Sequence, residues 1–203
     1  MKLWLATNND HKKRELEGIF IGHVLVSPAS AGLAFEADET GSTFLENTLI
    51  KARALYDLVH EPVIADDSGL CVDAMDGRPG ILSARYGSRD GKNLESWERN
   101  ELLLKKLEHV TNRKARFVCS MVVLFSHDRF YVVQETLEGE IIRESRGNGG
   151  FGYDPILYLP EKGCTVAELS EEEKNRISHR GKAGKALARL LNGVTEVRIH
   201  HEP

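Results

Sequence analysis

The chain has 203 residues, with 41% hydrophobic and 29% charged residues and a formal net charge of −4. That is ordinary globular composition, which excludes disorder and collagen-like architectures. The mild acidity argues against a general nucleic-acid binder. No apolar run approaches the roughly 20 residues that span a bilayer, and the amino-terminal stretch turns polar too soon for a signal peptide.

In chain order, Lys2–Ala6 reads as a short buried strand, broken by Thr7–Asp10. His11–Phe20 has helical spacing, with Leu16, Ile19 and Phe20 on one side. Val24–Val26 reads as a strand and Ala37–Ser42 as an acidic loop. Thr43-Phe-Leu-Glu46 matches a capping box and opens a helix to about Val59. Val63–Ala65 is a short strand running into an Asp66-Asp67-Ser68-Gly69 turn. Asp73–Gly91 reads mostly as loop, and Asn93–His109 as a helix. Arg116–Phe125 and Phe130–Leu137 form a hairpin about Ser126-His-Asp-Arg129. Arg146–Gly152 is a glycine-rich loop. Ser170–Glu173 is a second capping-box match; Ser178 caps a final helix to Leu191, and Gly193 ends it. The mixture of crossovers and hairpins predicts an α/β or α+β fold with a mixed sheet. Cys71, Cys119 and Cys164 are odd in number and form no CxxC pair. Reduced thiols and a cytoplasmic location are the simplest reading.

Several segments offer chemistry. Thr7-Asn8-Asn9-Asp10-His11-Lys12 joins the first strand to the first helix. A helix N-terminus with hydrogen-bonding side chains and a lysine suits a phosphate, although no Walker pattern is present and a plain helix cap is the competing reading. Asp66 and Asp67 at a strand's end are costly to bury unpaired. They suit a metal or a general base, against a turn with capping aspartates. Asp38 and Glu39 form a further acidic pair, or a solvated face. Gly147-Asn-Gly-Gly-Phe-Gly-Tyr-Asp154 joins backbone freedom to two aromatics that could stack on a planar base; a glycine turn over core aromatics is the alternative. Lys174 to Lys182 gathers four cations and His179, as an anion site or a solvated basic face. His200-His201 reads as a solvated end. A nucleoside phosphate would satisfy anion-binding groups, metal-binding carboxylates and a flat-ligand loop together.

These segments resemble the inosine triphosphate pyrophosphatase, or Ham1-like, family. The resemblance runs in order through Thr7-x-Asn9-x-x-Lys12, then Glu39-Thr-Gly41-x-Thr43-Phe44-x-Glu46-Asn47-x-x-x-Lys51-Ala52. It continues through Ala65-Asp66-Asp67-Ser68-Gly69-Leu70 and Pro79-Gly80-x-x-Ser83-Ala84-Arg85-Tyr86. Gly149-Gly-Phe-Gly-Tyr-Asp-Pro-Ile156, Ala167-Glu-Leu169 and Glu173 to Gly181 complete it.

The resemblance implies an elongated mixed sheet flanked by helices, one domain with two lobes around a central cleft. It implies Mg²⁺-dependent hydrolysis of ITP, dITP and XTP to monophosphate and pyrophosphate by a homodimer. Asp67 would activate water, and Asp38, Glu39 and Asp67 would hold the metal. Thr7, Asn8, Asn9, Asp10, His11, Lys12, Lys51, Ser68 and Lys174 would bind phosphates or line their site. Phe151, Gly152, Tyr153, Asp154, His179 and Arg180 would hold the base, with Asp154 a candidate acceptor for N1–H. Asn8 stands where many relatives have glycine, and Asp38 where the acidic pair often begins with glutamate. A Maf-type pyrimidine nucleotide pyrophosphatase and a non-hydrolysing nucleotide sensor are the alternatives.

Overall fold

The computed structural model describes residues 1–88 and 92–199, with side chains described through residue 193. The tail histidines His200 and His201, and the end of the 73–91 loop, lie outside the described residues. Among the described residues, seven strands form one mixed sheet: β1 (Lys2–Leu5), β2 (Val24–Val26), β3 (Val63–Val72), β4 (Lys114–Ser126), β5 (Arg129–Ile141), β6 (Leu157–Leu159) and β7 (Cys164–Thr165). Their order is β2-β1-β3-β4-β5-β6-β7. β1 runs parallel to β2 and β3, and β6 runs antiparallel to β5 and β7. The helices are α1 (Asp10–Ile19), α2 (Phe44–Val59), α3 (Ser96–Lys106), α4 (Glu171–Ile177) and α5 (His179–Ile199). None among the described residues is long and apolar enough to cross a membrane. The mixed sheet with flanking helices agrees with the expected fold class.

The chain divides into two compact units, with the divisions falling inside β3, β4 and β5 and after the first residue of α5. The first unit comprises Met1–Asp67, Cys119–Glu135 and Arg180 onward; the second comprises Ser68–Val118 and Thr136–His179.

Strand parity organises the first unit. Successive strand side chains point to opposite faces. Leu3, Leu5, Ile64, Cys119, Met121 and Val123 pack with Leu16 and Phe20 of α1 and Ala183, Leu187 and Leu191 of α5. The alternate set, Trp4, Ala6, Val63, Ala65, Val122 and Leu124, packs with Ala52 and Leu55 of α2. By parity Asp66 joins the first set and Asp67 the second. In the second unit, Leu70, Val72, Phe117, Leu137 and Ile141 form a separate core with Leu103 and Leu107, Tyr153, Ile156 and Val166.

Two features differ from the sequence reading. β3 does not stop at Ala65 but continues as strand through Asp66, Asp67, Ser68 and Gly69 to Val72. Gly193 does not end the last helix, which extends to Ile199. A glycine inside a helix costs about 1 kcal/mol, too little to stop an otherwise favourable helix. Ser178 directly precedes α5, where the sequence reading placed it, and is also the C-cap of α4. At the N-terminus of α4, the Ser170 hydroxyl accepts from the Glu173 amide.

Candidate active site

The phosphate-loop candidate is ordered by its own side chains. Asn9 is the N-cap of α1; its side-chain oxygen accepts from the amides of His11 (2.9 Å) and Lys12 (3.2 Å). The Thr7 hydroxyl accepts from the Asn9 amide at 3.1 Å, and Asn8 donates to the Phe35 carbonyl. Thr7 and Asn9 therefore shape the loop. Asp10 and His11 are exposed in the first turn, His11 lying 3.1 Å from Arg14. Lys12 turns inward and pairs with Asp66 at 2.9 Å.

Asp66 faces α1 and α5, as its parity requires. The Arg180 Nε also donates to its Oδ2, at 3.2 Å, and Arg180 Nη1 pairs with Glu15 at 2.7 Å. Arg180 is 1% exposed. Burial alone would raise the Asp66 pKa, but Lys12, Arg180 and Lys51 outweigh it and hold the carboxyl well below the usual range. The neighbouring Cys119 thiol is pushed up to about 12, first by burial and then by the Asp66 charge.

Asp67 faces α2 and meets a different set. Lys51 donates to its Oδ1 at 3.2 Å, and Asn47 Nδ2 to its Oδ2 at 3.3 Å. Lys51 also reaches Glu39 at 2.7 Å, so one ammonium bridges two carboxylates. Asn47 and Lys51 lie four residues apart on α2 and so share a helix face. The amide of Gly41 donates to Asn47 Oδ1 at 2.8 Å, which turns Nδ2 toward Asp67. A Cβ at Gly41 would lie 2.6 Å from Glu46 Cβ and 2.7 Å from Asn47 Oδ1, so only glycine permits this approach. The expected capping box is present: Thr43 and Glu46 exchange hydrogen bonds at the start of α2. Burial pushes the Asp67 carboxyl up, and the charges of Lys51 and Lys12 only partly offset it. For Lys51, burial opposes the charge, but Asp67, Asp66 and Glu39 prevail and raise it.

Of the two acidic loop residues, Glu39 is half-buried against Lys51 while Asp38 is exposed. Among the described residues no cluster of three or more His, Cys, Asp or Glu gathers. Glu39 and Asp67 nevertheless form an all-oxygen pair already bridged by one cation. That donor set fits Mg²⁺, which is typically bound by one or two carboxylates plus substrate phosphates.

In the second unit, the glycine-rich loop closes on Asp154. Its Oδ2 accepts from the Phe151 amide at 2.7 Å and from Lys174 at 2.8 Å. The Lys174 ammonium lies 4.6 Å from the Phe151 ring centroid. Gly150 has φ +70°, and a Cβ there would lie 2.1 Å from Asp154 Oδ2. The Gly152 carbonyl accepts from Asn100 of α3 at 3.1 Å. His179 stacks on Phe117 with centroids 4.8 Å apart. Ser68 is half-buried on β3, next to Asp67 in the chain.

Tyr153, expected at the base, packs inward. Its ring is 5% exposed within the apolar core, and its hydroxyl donates to the Ser83 carbonyl at 2.9 Å. Ser83 in turn accepts from the Leu70 amide and donates to the Gly80 carbonyl. Tyr153 thus ties the loop to the 80–85 turn.

Two residues that the sequence reading left without a site role, Asn47 and Glu15, hold the groups that it did select. The signal for Asn47 was its four-residue spacing to Lys51. Glu15 carried none, because its partner Arg180 is 165 positions away.

The model of the Ham1 family matches residues 3–190. A dITP/XTP pyrophosphatase of Treponema denticola is 50% identical over 193 residues, 95% of this chain and 100% of that protein. One from Thermus thermophilus is 46% identical over 191 residues, covering 92% and 90% respectively. Among solved structures, the Staphylococcus aureus Ham1 protein superposes with a TM-score of 0.85 at 40% identity, covering 95% of this chain and 99% of that one. A HAM1 protein from Coxiella burnetii gives a TM-score of 0.87 at 37% identity with the same coverage.

Proposed function

The chain belongs to the Ham1 family, and from that premise we propose that it is a nucleoside triphosphate pyrophosphohydrolase acting on deaminated purine nucleotides. The products are the monophosphate and pyrophosphate, and the role is to clear ITP, dITP and XTP from the nucleotide pool. The observation that carries the reading is the Glu39–Lys51–Asp67 cluster: a carboxyl raised by burial, an ammonium, and a second carboxylate within 3.2 Å of it.

Asp67 takes the proton of the attacking water; a carboxyl with a raised pKa is a better base once ionised. Asn47 and Lys51 fix which lone pairs face outward. Lys12 and Lys51 stabilise charge on the phosphates, and the loop Thr7–Lys12 positions them. Glu39 and Asp67 would hold Mg²⁺, with Asp38 outside that set because of its exposure. When bound, the ion supplies charge neutralisation and orientation of the triphosphate.

For the base, we assign Phe151 to stacking and Gly152, Asp154, Lys174 and His179 to its edge; Arg180 is withheld from that set because it is 1% exposed and committed to Asp66 and Glu15. Tyr153 and Asn100 support that loop. Hypoxanthine offers O6 as acceptor and N1–H as donor, and adenine the reverse. Buried groups matched to the first pattern would be left unpaired by adenine, which can discriminate by about 10⁴-fold. We propose that both units act as one catalytic domain, that the enzyme is a cytoplasmic homodimer, and that nucleic acid is not a substrate.

The test is incubation of the protein with Mg²⁺ and, separately, ITP, XTP, GTP, ATP and dTTP, with pyrophosphate and orthophosphate measured. Pyrophosphate from ITP and XTP, with little from the others, is the expected result. Cleavage of dTTP alone, release of orthophosphate alone, or no turnover would each overturn the reading.

A further inference from the structure

Asp66 has no part in the chemistry proposed above, yet it is among the most buried charges in the first unit. Its Oδ2 receives Lys12 Nζ at 2.9 Å and Arg180 Nε at 3.2 Å. Both cations stand in the first turns of their helices, Lys12 in α1 and Arg180 in α5. A helix N-terminus carries partial positive charge, so it disfavours a cation. Burial adds a second cost for Arg180, whose side chain is 2% exposed. A carboxylate between the two first turns offsets both effects. Glu15, three residues after Lys12 on α1, completes the alternation by pairing with Arg180.

We propose that Asp66 is the positioning residue for the phosphate-binding lysine. It holds the Lys12 ammonium at a fixed place above β3 and locks the α1 and α5 first turns to one strand residue. This rests on the reading of Lys12 as a phosphate ligand. The role differs from that of Asp67. Asp66 acts through Lys12, because its Oδ2 is shared between two cations on the α1 and α5 face, whereas Asp67 meets Lys51 and Asn47 on the α2 face.

The proposal has a signature that a general loss of stability lacks. Pyrophosphate binding to the metal-free protein is measured by calorimetry in the presence of a chelator, for wild type, D66N, K12M and the double variant. D66N is expected to weaken binding about 10-fold or more, since a misplacement of 1 Å can cost about 10²-fold in such sites. K12M is expected to weaken it comparably, and the double variant to be no weaker than K12M alone. The Mg²⁺ concentration for half-maximal ITP hydrolysis is expected to be unchanged in D66N. Wild-type affinity in D66N, full additivity with K12M, or a shifted Mg²⁺ requirement would overturn the proposal. If D66N does not give a cooperative melt, D66E decides. It keeps the charge but moves it by one methylene, and unaltered pyrophosphate affinity in D66E would overturn the assignment. Wild-type turnover of ITP is measured alongside, so failure of the proposed activity is distinguished from failure of the assignment.

Discussion

Asp66 and Asp67 are consecutive on β3, and their carboxyl groups shift in opposite directions: Asp66 downward and Asp67 upward from the ordinary aspartate value. Burial pushes both up. Two direct cations overcome it at Asp66, while at Asp67 one lysine and one amide do not. The pair shows how period-two geometry assigns unlike chemistry to like residues.

The pH dependence of turnover follows from the second of them. Only the ionised form of Asp67 can accept a proton. The acid limb of kcat/KM is therefore expected above the usual aspartate value of about 3.9, with activity rising as pH rises through it. D67N is expected to lower kcat by about 10²–10⁴-fold, the usual worth of a general base. A pH–rate profile of wild type and single-turnover rates for D67N check this.

Stability is expected to carry the opposite signature at Asp66. Its folded-state pKa is depressed, so its contribution is present above the unfolded value near 3.9 and is lost as pH falls through the lower folded value. Asp67, being raised, contributes stability below the unfolded value, and that contribution is lost as pH rises through the folded one. Denaturation midpoints between pH 2 and 6 should therefore retain less acid sensitivity in D66N than in wild type. D67N should instead lose the stability decrement that wild type shows as Asp67 ionises.

Removing the bridging ammonium leaves two carboxylates together. Breaking such a pair by deleting one partner costs about 3–5 kcal/mol when fully buried. Glu39 keeps 25% side-chain exposure, so about 2–3 kcal/mol is expected for K51M. The acid limb should also move to higher pH, because the lysine no longer favours ionised Asp67. Chemical denaturation and a second pH profile test both effects.

The metal assignment separates the two neighbouring loop acids. E39Q is expected to raise the Mg²⁺ concentration for half-maximal activity by about 10-fold, the scale of a lost ligand interaction. D38N should leave it near wild type. Removal of divalent ions by chelation should abolish turnover, and readdition should restore it. Equal effects of the two substitutions would refute the assignment.

Tyr153 and Phe151 stand two residues apart but should respond differently. Y153F removes a buried hydrogen bond to the Ser83 carbonyl, which is worth about 1 kcal/mol of stability, with little change in the preference of ITP over ATP. F151A is expected to raise KM for ITP by about 10-fold, in line with the 1–3 kcal/mol of base stacking on an aromatic ring. Thermal melts and substrate competition distinguish them.

Local signals made much of the fold legible. The Thr43 and Glu46 capping box, the β2 span and the β4–β5 hairpin all depend on neighbours in sequence. β3 was read too short for a physical reason. Asp-Asp-Ser-Gly has turn chemistry locally, and what keeps it extended lies elsewhere in the chain. Lys12, Lys51, Asn47 and Arg180 arrive from three helices to pair with those aspartates. The packing of Tyr153 is hidden for a related reason: an aromatic in a glycine loop gives no sign of the Ser83 carbonyl that holds it in the core. That Glu39 and not Asp38 meets Lys51 is equally hidden, since only the fold decides which of two adjacent acids faces it.

The parity of β3 also limits how this chain can vary in length. Inserting or deleting one residue ahead of Asp66 on the strand would exchange the faces of the two aspartates. Asp67 would then confront two cations, and Asp66 would take the place beside Asn47 and Lys51. Both aspartates would remain, yet the proposed anchor and the proposed base would trade places. Length changes compatible with activity are therefore expected in the loops outside this strand, and any within it must come in pairs.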